Sequence, residues 1–229
     1  MPEVFSQLYK QITVSGADAV GFLQGQLTQD VGRLAHEGRL LAAWCDPKGR
    51  VIAVVRLLDL GDSIGMIVPA ALAERLVERL KLYRLRSKVD FAVSDPAAGA
   101  VLPSEADIAS LVDAGVAHID ESNSALFTPH MLNLDHLGAI SFTKGCYTGQ
   151  EIVARTEHRG RSRRRLMRYE AATDGVHAGM RLSDGESDVG VVVNVAGRRL
   201  LAVTPVELHD RPLGANGIVI TPIGLPYDL

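Results

Sequence analysis

The residues with the most evident chemistry lie in one stretch, Phe142-Thr143-Lys144-Gly145-Cys146-Tyr147-Thr148-Gly149-Gln150-Glu151, which runs on into Ile-Val-Ala-Arg155. Thr148, Gly149, Gln150 and Glu151 have the spacing of a capping box, in which the threonine hydroxyl and the glutamate each satisfy a free amide at the start of a helix. On that spacing Cys146 stands about two residues ahead of the helix. The positive end of the helix and nearby Lys144 would both favour its thiolate. A thiolate there can act as a nucleophile, a redox-sensitive group or a transient metal ligand. The plainer alternative is a helix start with a small buried cysteine beside it.

A second feature follows directly. Arg155, Arg159, Arg161, Arg163, Arg164, Arg165 and Arg168 fall within fourteen residues, opposed only by Glu157. Such a run is either a solvated face or an anion site, since guanidinium forks match carboxylates and phosphates.

The elements that must position these groups can be read from periodicity. Residues 17–31 place Val20, Leu23, Leu27 and Val31 at helical spacing between Gly16 and Gly32. Two apolar runs then flank Asp46-Pro47-Lys48-Gly49, which predicts a hairpin with a four-residue turn. Residues 63–69 predict a third strand, 70–82 an amphipathic helix and 88–93 another strand. This order suggests an α+β layer structure. Residues 94–107 read as a linker, and a short helix ends at Gly115. Beyond about residue 165 short strand-like runs alternate with turns rich in Gly and Asp, as in a small β-barrel.

Composition narrows the function classes. The chain has 229 residues, enough for a substantial core. No apolar run approaches the roughly 18–20 residues of a membrane helix, and no basic-then-apolar leader opens the chain, so a cytoplasmic protein is expected. Cys45 and Cys146 are too far apart for a CxxC site, and the seven histidines show no HxxxH or HExxH pair, so no permanently bound metal is expected. The net charge of −3 argues against a general nucleic-acid binder.

The segment KGCYTGQEIVAR resembles the signature of the YgfZ family, and HRGRSRRRL its continuation. ITVSGADAVGFLQGQLTQDV, LLAAWCDPKGRVIAVVRLL, the approach AGVAHIDESNSALFTPHMLNLDHLGAISFTKGC and the closing IGLPYDL are similar to family stretches as well. The resemblance implies a fold like the glycine cleavage T-protein, with domains in a ring about a channel for tetrahydrofolate or a derivative. It implies a role in assembly or repair of iron–sulfur proteins, with client proteins such as the radical enzymes that thiolate tRNA, and no free-standing enzyme activity. It carries the motif onto Lys144, Gly145, Cys146, Tyr147, Thr148, Gly149, Gln150 and Glu151, with Cys146 as the functional thiol. Arg155 and Arg159 extend it toward a folate or other anion. Trp44 is read either as a stacking face for a pterin or as core.

On this reading residues 1–93 form an α+β folate-binding-like domain, 94–165 a shortened middle domain carrying the motif, and 166–229 the barrel. Only residues 92–113 fill an interval that is longer in family members of the longer type. Two rivals stand beside it. A folate-dependent aminomethyltransferase needs a carboxylate on the strand after the turn, where Val51–Val55 is apolar throughout. An RNA-binding module could use the Arg155–Arg168 cluster, but aromatic stacking residues are few, and direct binding of nucleic acid is not expected.

Overall fold

In the computed structural model residues 8–158 and 162–229 are described. The α+β class expected from the sequence is observed. The first layer is a five-stranded antiparallel sheet in the order β2-β3-β4-β1-β5. Its strands are β1 (Tyr9–Ser15), β2 (Arg39–Cys45), β3 (Val51–Asp59), β4 (Ser63–Pro69) and β5 (Asp90–Ser94). Helices α1 (Ala19–Gln24), α2 (Leu34–Glu37) and α3 (Ala73–Arg84) accompany it. Phe22 and Leu23 of α1 and Leu76 and Leu80 of α3 share a core with Ile12, Val14, Trp44, Val55 and Leu57 of the sheet.

The hairpin forms where it is predicted. Gly49 donates to the Asp46 carbonyl at 2.9 Å, and the Asp46 carboxylate accepts from the amides of Lys48 and Arg50 at 2.9 and 2.8 Å. The helix expected over 17–31 is shorter. It ends at Gln24 with Gly25 as cap, and Leu27 instead makes an isolated β-bridge with Trp44.

β3 is buried from Val51 through Leu58, so both faces of the sheet are covered. A continuous apolar run is what such a strand needs. The second cover is the segment 95–158, whose regular elements are α4 (Ile108–Ala114), α5 (Gln150–His158) and short 3-10 turns. Asp107 caps α4 through the Ser110 amide, and Gly115 ends it in the left-handed conformation. This segment shares one core with its neighbours on both sides. Val112, Ile119, Leu132 and Val153 pack with Val51 and Val54 of the sheet and with Leu166, Leu201 and Val203 beyond it.

The last part is a closed barrel in the order β10-β11-β6-β9-β8-β7. Its strands are β6 (Arg164–Ala171), β7 (Arg181–Ser183), β8 (Asp188–Ala196), β9 (Arg199–Pro205), β10 (Leu213–Ala215) and β11 (Ile218–Ile223). Met167, Tyr169 and Ala171 alternate into its interior with Leu182, Leu200 and Ile220. The tail returns to the middle segment, where the Tyr227 hydroxyl donates to the Gly115 carbonyl at 2.7 Å. No helix among the described residues is long and apolar enough to cross a membrane.

Candidate functional site

Cys146 is exposed, on a loop that is otherwise tightly held. Lys144 supplies the main hold. Its ammonium donates to the carbonyls of Gln24 and Leu27 at 2.7 Å each and of Gln29 at 2.8 Å. An ammonium has three protons, and here each has an acceptor. Burial pulls Lys144 down to about 8, with the Asp30 carboxylate opposing, so it stays charged at neutral pH. Its three protons are committed to the chain leaving α1. Tyr147 lies under the same ammonium, 5.1 Å from ring centroid to Nζ, and is itself buried.

Gly149 supplies the second hold. Its φ is +84°, and a Cβ there would stand 2.5 Å from the Asp46 carbonyl oxygen and 3.0 Å from the Gly49 Cα. Gly49 in turn leaves room for Ile152, whose Cβ would lie 2.8 Å from an added methyl. The turn of the β2–β3 hairpin and the start of α5 thus meet through two glycines. Cys45 lies beneath them, 1% exposed, its thiol pushed up by burial and then by the charge of Asp46. It is the small core residue that its position suggests.

The capping box is not formed among the described residues. The Glu151 carboxylate turns outward to Arg155, one turn along α5. Gln150 closes the helix start by donating to the Tyr147 carbonyl at 3.1 Å. The loop from Ala139 to Thr148 is also stitched to the N-terminal sheet: Thr28 donates through its hydroxyl to Ala139 at 2.7 Å, Ser141 donates to Thr28 at 2.9 Å, and Thr148 donates to Gly25 at 3.3 Å.

The arginines do not form one surface. Arg155 pairs with Glu151, and Arg163 and Arg164 are exposed. Arg165 is buried, with both Asp135 oxygens at 2.6 and 2.8 Å. Burial alone would raise the Asp135 carboxyl, but the hydrogen bonds and charge of Arg165 outweigh it and hold it below the ordinary carboxylate range. Arg168 donates to the Asp113 carbonyl at 2.8 Å. Arg159 and Arg161 lie outside the described residues. Trp44 is 1% exposed in the core beneath the helices, with Arg79 5.9 Å over its ring, so a pterin-stacking role for it is corrected to a packing role.

Several polar groups carry no sequence motif yet stand out in the fold. Arg56 of β3 pairs with Glu105 at 2.7 Å on the buried second face of the sheet, beside Tyr9. His118 packs edge-on to the Tyr9 ring at 5.8 Å and is held down at about 4 by burial. His130 is 1% exposed and faces Glu157 at 3.2 Å.

A groove of about 600 Å³ opens where the barrel meets the tail, lined by Met167, Arg168, Pro222, Ile223, Leu225 and Tyr227 among others. Its size suits a small organic ligand.

The architecture is that of the glycine cleavage T-protein. The structure of the glycine cleavage system aminomethyltransferase T from Bartonella henselae superposes with a TM-score of 0.72, covering 98% of this chain and 85% of that one at 14% identity. That likeness establishes the fold. The resemblance to the YgfZ family holds over nearly the whole sequence: the tRNA-modifying protein YgfZ of Escherichia coli K12 and that of Shigella flexneri are each 29% identical, across 95% of this chain and 90% of theirs. The alignment runs to 302 positions, more than the 229 residues of this chain, so these relatives carry stretches that it lacks. No family model matches the chain.

Proposed function

We propose that this chain supports the assembly or repair of iron–sulfur proteins through the Cys146 thiol, with a tetrahydrofolate derivative as its ligand, and that its effect on tRNA modification is indirect. One observation carries the reading. Cys146 is solvent-exposed while its neighbours Lys144 and Tyr147 are buried and anchored, so the loop spends its hydrogen bonds on holding one thiol outward at a fixed place. A thiol of that kind meets a client protein or a cluster iron without a change of fold.

The groove beside the barrel supports the ligand half. Met167, Pro222, Ile223 and Leu225 offer an apolar bed for a pterin, Tyr227 an aromatic edge, and Arg168 a guanidinium for the glutamate tail. The second face of the N-terminal sheet is a poorer candidate, because Val54 is 2% exposed and Arg56 already holds Glu105. Aminomethyl transfer is less well supported, since Val51–Val55 of β3 presents no carboxylate. An RNA surface is less well supported too, since Arg155 and Arg165 are each engaged by a carboxylate.

The test is calorimetric titration with tetrahydrofolate of the wild-type protein, Cys146→Ala and Arg168→Ala. Saturable binding is expected for the first two and a loss of about tenfold for the third, the scale of one charge-assisted contact. No binding to the wild type would sink the folate half.

A further inference from the structure

Three side chains with metal-ligating chemistry meet at a place that sequence spacing does not announce. His130 comes from a 3-10 turn, Asp135 from the loop after it and Glu157 from the last turn of α5. One donor atom of each lies within 4.8 Å of the other two. We infer that His130, Asp135 and Glu157 form a binding site for one divalent transition-metal ion of the Zn²⁺ or Mn²⁺ class.

The donor set favours such an ion. One imidazole with two carboxylates suits zinc, manganese or ferrous iron, whereas calcium and magnesium seek oxygen alone. Bonds of about 2.0–2.2 Å put tetrahedral ligand atoms roughly 3.3–3.6 Å apart, so the widest separation must close by about 1 Å. Glu157, with 45% of its side chain exposed, is free to make that movement.

The surroundings fit as well. His130 is 1% exposed, its Nε2 faces Glu157 and its Nδ1 has no partner among the described residues. An imidazole buried so completely for a single hydrogen bond to a half-exposed carboxylate is poorly explained by structure alone. Asp135 is oriented by Arg165 through both oxygens, at 2.6 and 2.8 Å. A carboxylate has about four lone-pair positions, so two remain, and a ligand fixed by an outer hydrogen bond is the usual design of a metal site. Among the described side chains that touch here, two carboxylates stand against one guanidinium, a balance that favours a cation over an anion.

There is also a way in. A cavity of about 450 Å³ is lined by Asp135, His136, Glu157, Ser162 and Arg165 among others. Three protein ligands leave coordination positions open toward it. His136, its Nε2 3.7 Å from Asp135 Oδ2, stands at the border.

The inference does not depend on the role of Cys146, and the test separates the two. The full chain is titrated with ZnCl₂ in a calorimeter at neutral pH, as wild type, Glu157→Gln and Cys146→Ser. Glu157 is on the surface, so its amide variant keeps the fold, which circular dichroism verifies. The expected result is saturable binding of one equivalent, weakened at least tenfold in Glu157→Gln and unchanged in Cys146→Ser. No saturable binding to the wild type overturns the site. So does binding that Glu157→Gln leaves intact, or binding that Cys146→Ser abolishes.

Discussion

Replacing Lys144 with methionine removes the ammonium but keeps the length of the side chain, and it tests what holds the Cys146 loop. The wild-type group makes three charge-assisted hydrogen bonds, at 2.7, 2.7 and 2.8 Å. Bonds of that kind are each worth about 1.5–3 kcal/mol. Those values are already net of taking the charge out of water, and methionine leaves three carbonyls without partners, so a loss of about 3–5 kcal/mol is expected. For a chain of this size that is a fall in Tm on the order of 10 °C. Thermal unfolding followed by circular dichroism measures it. The alkylation rate of Cys146 by iodoacetamide, measured at 20 °C below the variant's Tm, reports whether the loop has loosened. A Tm within about 2 °C of wild type, with the alkylation rate unchanged, would refute Lys144 as the anchor.

Other outcomes follow from the same geometry. Gly149→Ala meets the Asp46 carbonyl at 2.5 Å with φ at +84°, so a loss of about 2–4 kcal/mol is expected in urea unfolding. Titration of the folded protein with a thiol reagent should show one fast thiol, Cys146, with Cys45 reacting only on unfolding, because Cys45 is 1% exposed. His118 is held at about 4 against an ordinary 6.5, so the unfolded chain binds a proton in that interval that the folded chain does not. Its contribution is therefore full above pH 6.5 and lost as the pH falls toward 4, by up to about 3 kcal/mol, and His118→Gln should flatten that part of the stability profile. Tyr227→Phe removes the hydrogen bond to Gly115 and should cost about 1 kcal/mol with little change in fold.

Much of the fold was legible because the relevant signals are local. The turn Asp46–Gly49, the run Ser63–Pro69 and the stop at Gly115 each carry their own chemistry, and each element forms where that chemistry places it. β1 gives little signal, since Gln11 and Thr13 interrupt its apolar pattern. The helix read through residue 31 fails at Gly25 because Leu27 is drawn into a bridge with Trp44, a pairing that no local period reveals.

The mechanics of the Cys146 loop were not legible in the sequence. Cys146 could be picked out by its neighbours, but the partners of Lys144 lie more than a hundred residues earlier. The capping box failed for a related reason: Glu151 finds Arg155 on its own helix. The arginine run looked like one surface because sequence shows charge without showing Asp135, which takes Arg165 out of it. Likewise His130, Asp135 and Glu157 meet only through packing of the middle segment against α5.

The claim that the Cys146 thiol is the working group is tested most directly in a bacterium lacking its own YgfZ-type protein. Thiolated tRNA is quantified by mass spectrometry after expression of the wild-type chain or of Cys146→Ser at equal levels. Restoration by the wild type and failure of the equally folded serine variant is the expected result. Full restoration by Cys146→Ser would contradict the account.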